Sequence, residues 1–287
     1  MSTASPVDPE SAGLRRARRT AMTRVLRDLL GEPRDRAGTD DGAQDHAAVA
    51  AAAIAPAVEA LGLLADGALN APGDGLVHRR CRIRPAARDA GGADAVAEPR
   101  GSGVSLRSLR SAERAGWWIA RAEAEVDGIL VIHALARRSA ASTPVEPTTG
   151  APLDAAPGAA DPLETGRQAV RAPSDLPAAP SPVPAAVTVR LTPDRVTAWA
   201  EATGDRNALH LRPGAARAAG LPVGADEVVA HGLLLATLSL AVVPRGDGPV
   251  DLRFLAPCTV PRSGCALAVD PVTGAVRAGA RTLLRCD

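Results

Sequence analysis

Residues 232–243, Gly-Leu-Leu-Leu-Ala-Thr-Leu-Ser-Leu-Ala-Val-Val, constrain this chain more than any other stretch. The run is apolar nearly all round. An element built from it has no face to offer water and must be wrapped by the rest of its domain. Its length favours a helix over a central strand, and it is too short to cross a bilayer. The flanking sequence supplies the wrapping. Residues 187–191, 250–255, 266–269 and 275–284 read as strands, with a turn at 271–274. An antiparallel sheet around one buried helix accommodates all of these pieces. Upstream, Thr192 offers an N-cap and Pro193 a first helical residue. Val196, Trp199 and Ala200 share one face of a helix over 193–202, and Gly204 can end it. Residues 213–219 read as one or two helical turns closed by Gly220.

A similar plan can be read earlier in the chain. Residues 47–63 form an alanine-rich helical stretch. Three extended segments follow at 77–83, 103–109 and 117–126, and Asp127-Gly128 reads as a hairpin turn into 129–136. Residues 20–31 fit a short amphipathic helix through Met22, Val25, Leu26, Leu29 and Leu30, while 1–19 are polar, basic and weakly ordered. Pro, Ala, Ser and Thr dominate residues 139–186, which cannot easily build a core and read as a linker. The organisation expected is an N-terminal extension, partly disordered (1–42), a first α+β unit (43–138), a linker (139–186) and a second unit (187–287).

Composition narrows the function. With 33 basic and 32 acidic residues the net charge is +1, which argues against a broad nucleic-acid surface. One Phe, three Trp and no Tyr leave few faces for stacking bases. Cys81, Cys258, Cys265 and Cys286 form no CxxC pair and no zinc-like series, so they read as thiols in a reducing compartment. No secretory signal is evident at the N-terminus. A cytoplasmic protein without a membrane span is the expectation.

The chemistry concentrates in Thr203-Gly-Asp-Arg-Asn-Ala-Leu-His210, followed by Ala230-His-Gly232. Asp205 and His210 can flank one water molecule, the carboxylate orienting it and the imidazole exchanging a proton. Asn207 can fix a loop carbonyl or a substrate group. Gly232 offers a backbone N–H at the start of the buried helix, where it can stabilise charge on a carbonyl oxygen. That kit suits adding water to an activated double bond or removing it, and equally thioester hydrolysis. On spacing alone Asp205 also reads as an Asx turn and His210 as a structural histidine. His231 can cap the buried helix or pack on the loop. A metal site from Asp205, His210 and His231 is possible by residue type, though the spacing matches no metal motif.

These residues, with Arg253-Phe-Leu-Ala-Pro257 after them, resemble the MaoC-like dehydratases and, among them, the R-specific enoyl-CoA hydratases (hydratase 2). The resemblance covers residues 187–287. It implies an α+β hotdog fold, a curved antiparallel sheet around a central helix. It implies a double hotdog when 43–138 is taken as a degenerate first half that lacks the Gly-Asp-x-Asn motif. By resemblance Asp205 and His210 are the catalytic pair, Asn207 the loop asparagine and Gly232 the donor to the thioester oxygen. His231, Arg212 and Leu233 are expected at the substrate. The implied reaction hydrates a trans-2-enoyl thioester of coenzyme A or acyl carrier protein to the R-3-hydroxyacyl thioester, without metal or redox cofactor. Ala208 replaces the usual proline and Arg212 an acidic residue. A thioesterase and a non-catalytic acyl-thioester binding subunit are the alternatives. The expected assembly is a homodimer or an intrachain pseudo-dimer, and His78 and His133 are expected to be structural.

Overall fold

The computed structural model describes residues 9–31, 45–65, 75–86, 103–139, 185–246 and 248–287. Two buried helices organise it. The first is α2 (His46–Leu63), preceded by α1 (Pro9–Leu30) and followed by β1 (Val77–Pro85), β2 (Val104–Arg114), β3 (Trp117–Val126) and β4 (Ile129–Arg138). The second is α6 (Gly232–Val242). Before it come β5 (Val187–Leu191), α3 (Pro193–Thr203), α4 (Ala208–Leu211), α5 (Ala215–Ala218) and β6 (Val228–Val229). After it come β7 (Val250–Phe254), β8 (Thr259–Val260), β9 (Cys265–Val269), β10 (Val276–Ala278) and β11 (Arg281–Cys286).

Nine strands form one sheet in the order β2-β3-β4-β1-β7-β11-β10-β9-β5, and every pairing in it is antiparallel. Each half therefore contributes its own strands, and β1 joins β7 along a seam with Cys81 opposite Leu252 and Ile83 opposite Val250. On the seam, Arg80 and Arg82 both bond the Asp251 carboxylate, with Arg80 Nε at 2.7 Å and Arg82 Nε at 2.8 Å. Helix α2 lies on β1–β4, α6 on β9 and β11, and the two helices on each other. This is the α+β double-hotdog arrangement.

The physical reasons are local. Residues 233–241 of α6 are all buried, as a helix apolar on every side requires. In α2 small side chains do the packing, with Ala47, Ala50, Ala51, Ala57 and Ala60 buried beside Ile54 and Val58. By length and composition α2 is apolar enough to cross a membrane, and its buried side meets α6 and α1. The β3–β4 hairpin turns at Asp127 and Gly128, whose φ values of 48° and 78° match the twist of the strands. Edge strand β2 is mostly exposed and carries arginines and a glutamate, which discourage further pairing.

Several elements differ from the expectation. Helix α1 begins at Pro9 and includes residues expected to be weakly ordered. Its C-terminal part buries Met22, Leu26 and Leu29, and this anchored face carries the arginine-rich turns before it. The strand expected over 275–284 is two strands, β10 and β11, because Gly279 turns the chain at φ 56°. Small residues on both sides of that glycine preserve the alternating pattern and conceal the turn. The two-residue strands β6 and β8 and the four-residue α4 were not anticipated. The linker expected at 139–186 lies almost wholly outside the described residues. Cys81, Cys258 and Cys286 are buried free thiols, and Cys265 is partly so.

Candidate active site

The site forms where the end of α3 passes over the start of α6. Thr192 caps α3 and Gly204 ends it in the left-handed region at φ 75°, so the loop leaves the helix sharply. Asp205 follows at once. Its Oδ1 accepts a hydrogen bond from the Asn207 N–H at 3.0 Å, which fixes the carboxylate and leaves Oδ2 turned to the site. Asn207 caps α4, its Oδ1 accepting from the Leu209 N–H at 3.2 Å. The same side chain reaches the other half. Its Oδ1 accepts from the Gly75 N–H at 3.3 Å, and its Nδ2 donates to the Leu76 carbonyl at 3.0 Å. Asn207 thus clamps the loop to the chain that enters β1.

Helix α4 carries His210 inward. Its Nδ1 lies 2.6 Å from the Val229 carbonyl oxygen. A carbonyl can only accept, so Nδ1 bears the hydrogen and the neutral ring keeps a lone pair on Nε2. That Nε2 stands 3.8 Å from Asp205 Oδ2, and His231 Nε2 stands 3.7 Å from the same oxygen. Both separations exceed a direct hydrogen bond and suit a water bridging the groups. The two imidazoles stack with centroids 3.6 Å apart. Burial lowers the pKa of His210 against the opposing pull of Asp205 and the Val229 carbonyl. Burial, followed by His210 and His78, holds His231 well below the usual imidazole range. Both rings are therefore neutral at physiological pH, as a proton acceptor has to be.

His231 is also the N-cap residue of α6, and its side chain makes no capping bond. The Leu234 N–H turns back to the His231 carbonyl at 3.1 Å, and the Gly232 N–H is left for another acceptor. A side chain at Gly232 would be crowded by its neighbours. A Cβ there would lie 3.0 Å and 3.1 Å from the Phe254 ring and 3.2 Å from His78 Cβ.

Two cavities meet at this point. The larger, about 380 Å³, is bordered by Asp205, Asn207, His231 and Leu233, with Arg18 and Arg206 among its walls. The smaller, about 210 Å³, is bordered by Gly232, Val77, Leu235 and Phe254. Leu76, His78 and His210 belong to both. Of the residues expected at the site, Asp205, Asn207, His210, His231, Gly232 and Leu233 come together. Arg212 is exposed at the end of α4 and borders neither cavity. Sequence reasoning missed Arg18, whose Nη2 lies 3.6 Å from the Cβ position of Gly204. It also missed Leu76 and His78, because nothing in the first half signals proximity to a loop so distant in sequence.

Asp205, His210 and His231 also offer three ligand-type atoms within 4.8 Å of one another, a set able to hold a divalent metal ion.

No protein-family model matches the sequence, and no curated protein matches it. Three solved structures similar to the chain are these. HtdX of Mycobacterium tuberculosis is 16% identical, with a TM-score of 0.48 and 93% of each chain covered. A MaoC-like dehydratase is 16% identical, with a TM-score of 0.49, covering 93% of this chain and 92% of that one. The peroxisomal multifunctional enzyme type 2 of Drosophila melanogaster is 16% identical at a TM-score of 0.44, and 45% of its length is covered.

Proposed function

We propose that the protein is a hydro-lyase that adds water reversibly to a trans-2-enoyl thioester, giving the R-3-hydroxyacyl thioester. The observation that carries this reading is the pairing of Asp205 Oδ2 with the His210 Nε2 lone pair at 3.8 Å, beside the uncapped start of α6. In the proposed reaction the substrate carbonyl accepts from the Gly232 N–H, which draws electrons from C3. A water held by Asp205 and His210 attacks C3. Its oxygen bonds to C3, one hydrogen passes to His210 Nε2, and the C2=C3 pair moves toward the carbonyl. The hydrogen on His210 is returned to C2, so one water is added and the imidazole ends neutral. The Asp205 carboxylate supports the transient imidazolium. Losing the backbone donor is worth roughly 3 kcal/mol in such transition states.

Arg18 and Arg206 border the larger cavity and suit the phosphates of a coenzyme A or carrier-protein arm. A homodimer or a pseudo-dimer of the two halves, acting in the cytoplasm, completes the reading. The test is incubation with crotonyl-CoA and its carrier-protein counterpart while enoyl absorbance and free thiol are followed. Absorbance loss without thiol release supports the hydratase, and thiol release selects a thioesterase. The metal-capable triad supports a second reading, a metal-dependent hydrolase. Metal content of the purified protein, with activity before and after chelation, separates the two.

A further inference from the structure

Two histidines of the N-terminal half take no part in the water addition described above. His133 of β4 is fully buried, with Nε2 3.0 Å from the Ala57 carbonyl oxygen of α2 and Nδ1 3.2 Å from His78 Nε2. The carbonyl has no proton to give, so His133 Nε2 carries the hydrogen. Burial brings the His133 pKa down to about 4, so the ring is neutral and its Nδ1 is a lone pair. His78 Nε2 must then be the donor to it. Burial, with His133 and His210 adding to it, keeps His78 neutral as well. Its remaining nitrogen, Nδ1, is therefore an acceptor. The chain from His78 through His133 to Ala57 has one direction and one tautomer at each ring.

His78 borders both cavities, and its Cβ is 3.2 Å from where a Cβ on Gly232 would sit. A lone pair repels an enolate oxygen, so an Nδ1 without a hydrogen makes His78 no second oxyanion donor. It fits a donor on the substrate. Between C1 and C3 an acyl thioester has only the new hydroxyl, which is held by Asp205 and His210. The nearest N–H belongs to the first amide beyond sulfur in the carrier arm.

On the hydratase reading, we infer that His78 is a substrate-binding residue whose Nδ1 accepts a hydrogen bond from that amide N–H. The first half then adds a contact to the carrier beside the chemistry of the second.

The test compares the crotonyl thioester of N-acetylcysteamine with that of 2-acetoxyethanethiol, in which an ester oxygen replaces the amide N–H. The unaltered protein is expected to favour the amide by about tenfold in kcat/KM, the worth of one hydrogen bond. His78→Phe is expected to erase the preference. A preference retained in His78→Phe, or absent from the unaltered protein, overturns the inference alone. Turnover of neither thioester overturns the hydratase reading and this inference with it. Should His78→Phe fail to fold, nitrogen NMR of the imidazoles in the unaltered protein decides. An unprotonated His78 Nδ1 that shifts on binding the amide thioester product supports the inference, and a protonated Nδ1 overturns it.

Discussion

Helices α2 and α6 occupy equivalent places in the two halves, yet their N-termini are finished differently. Helix α2 begins at Asp45, whose side chain accepts from the Ala48 N–H at 3.0 Å and also binds Arg27. One of its first-turn donors is thus met by a carboxylate of the chain itself. Helix α6 begins after His231, whose side chain makes no capping bond, and its first residue is Gly232, closely packed by Phe254 and His78. The bodies differ as well. Five leucines of α6 are buried, whereas α2 buries mostly alanine. The closed end belongs to the half without the Asp/His loop and the open end to the half that has it. An uncapped helix start is costly by itself, and on the proposed function the thioester oxygen is the acceptor that meets it.

The sharpest way to break this contrast is at the loop. Asp205→Asn and His210→Ala are each expected to lower kcat by roughly 10³ with the fold retained, in the range typical of general acid–base groups. Circular dichroism and steady-state rates check both. Packing variants come next. Leu238→Ala in α6 opens a cavity in a site with no exposure and should cost about 2–5 kcal/mol of unfolding free energy. Ala57→Leu in α2 overfills its site and should cost about 1–3 kcal/mol. Urea unfolding measures both. If the two helices tolerated the same changes, their division into a leucine-filled and an alanine-filled helix would carry no meaning.

Acid should reveal the buried histidines. The unfolded chain binds protons near pH 6.5, while His133 in the native state waits until about 4. Stability is thus full above pH 6.5 and falls between pH 6.5 and 4, on the order of 3 kcal/mol from His133. His78, His210 and His231 act in the same direction. Hydration should weaken on the same side, since His210 must be unprotonated to take a proton from water. Chemical unfolding and rates measured from pH 7 downward test this, and His133→Phe should flatten the stability profile. The smallest effect is at the closed end. Asp45→Ala should cost about 1 kcal/mol of stability and leave kcat unchanged.

Short-range signals carried most of the fold. Thr192, Pro193 and Gly204 define α3 because capping is decided within a few residues, and Asp127-Gly128 defines the β3–β4 turn for the same reason. The Gly279 turn was hidden by alternation that continues through it. Helix α1 was foreshortened because its polar beginning is held only by contacts farther along, at Met22 and Leu26. In the site, the loop residues could be read because Asp205, Asn207 and His210 are close in sequence. Gly75, Leu76 and His78 could not, since the β1–β7 seam brings them there. Arg18 arrives on α1 and Arg212 points elsewhere, which no spacing rule distinguishes.

Hydration and thioester hydrolysis differ in where the oxygen of water ends. Incubating the protein with crotonyl-CoA in heavy-oxygen water and locating the label by mass spectrometry decides it. The expected result is label on C3 of an intact R-3-hydroxyacyl thioester, lost in Asp205→Asn. Label in a free carboxylate, or in no product at all, would contradict the assignment of Asp205, His210 and the open end of α6 to water addition.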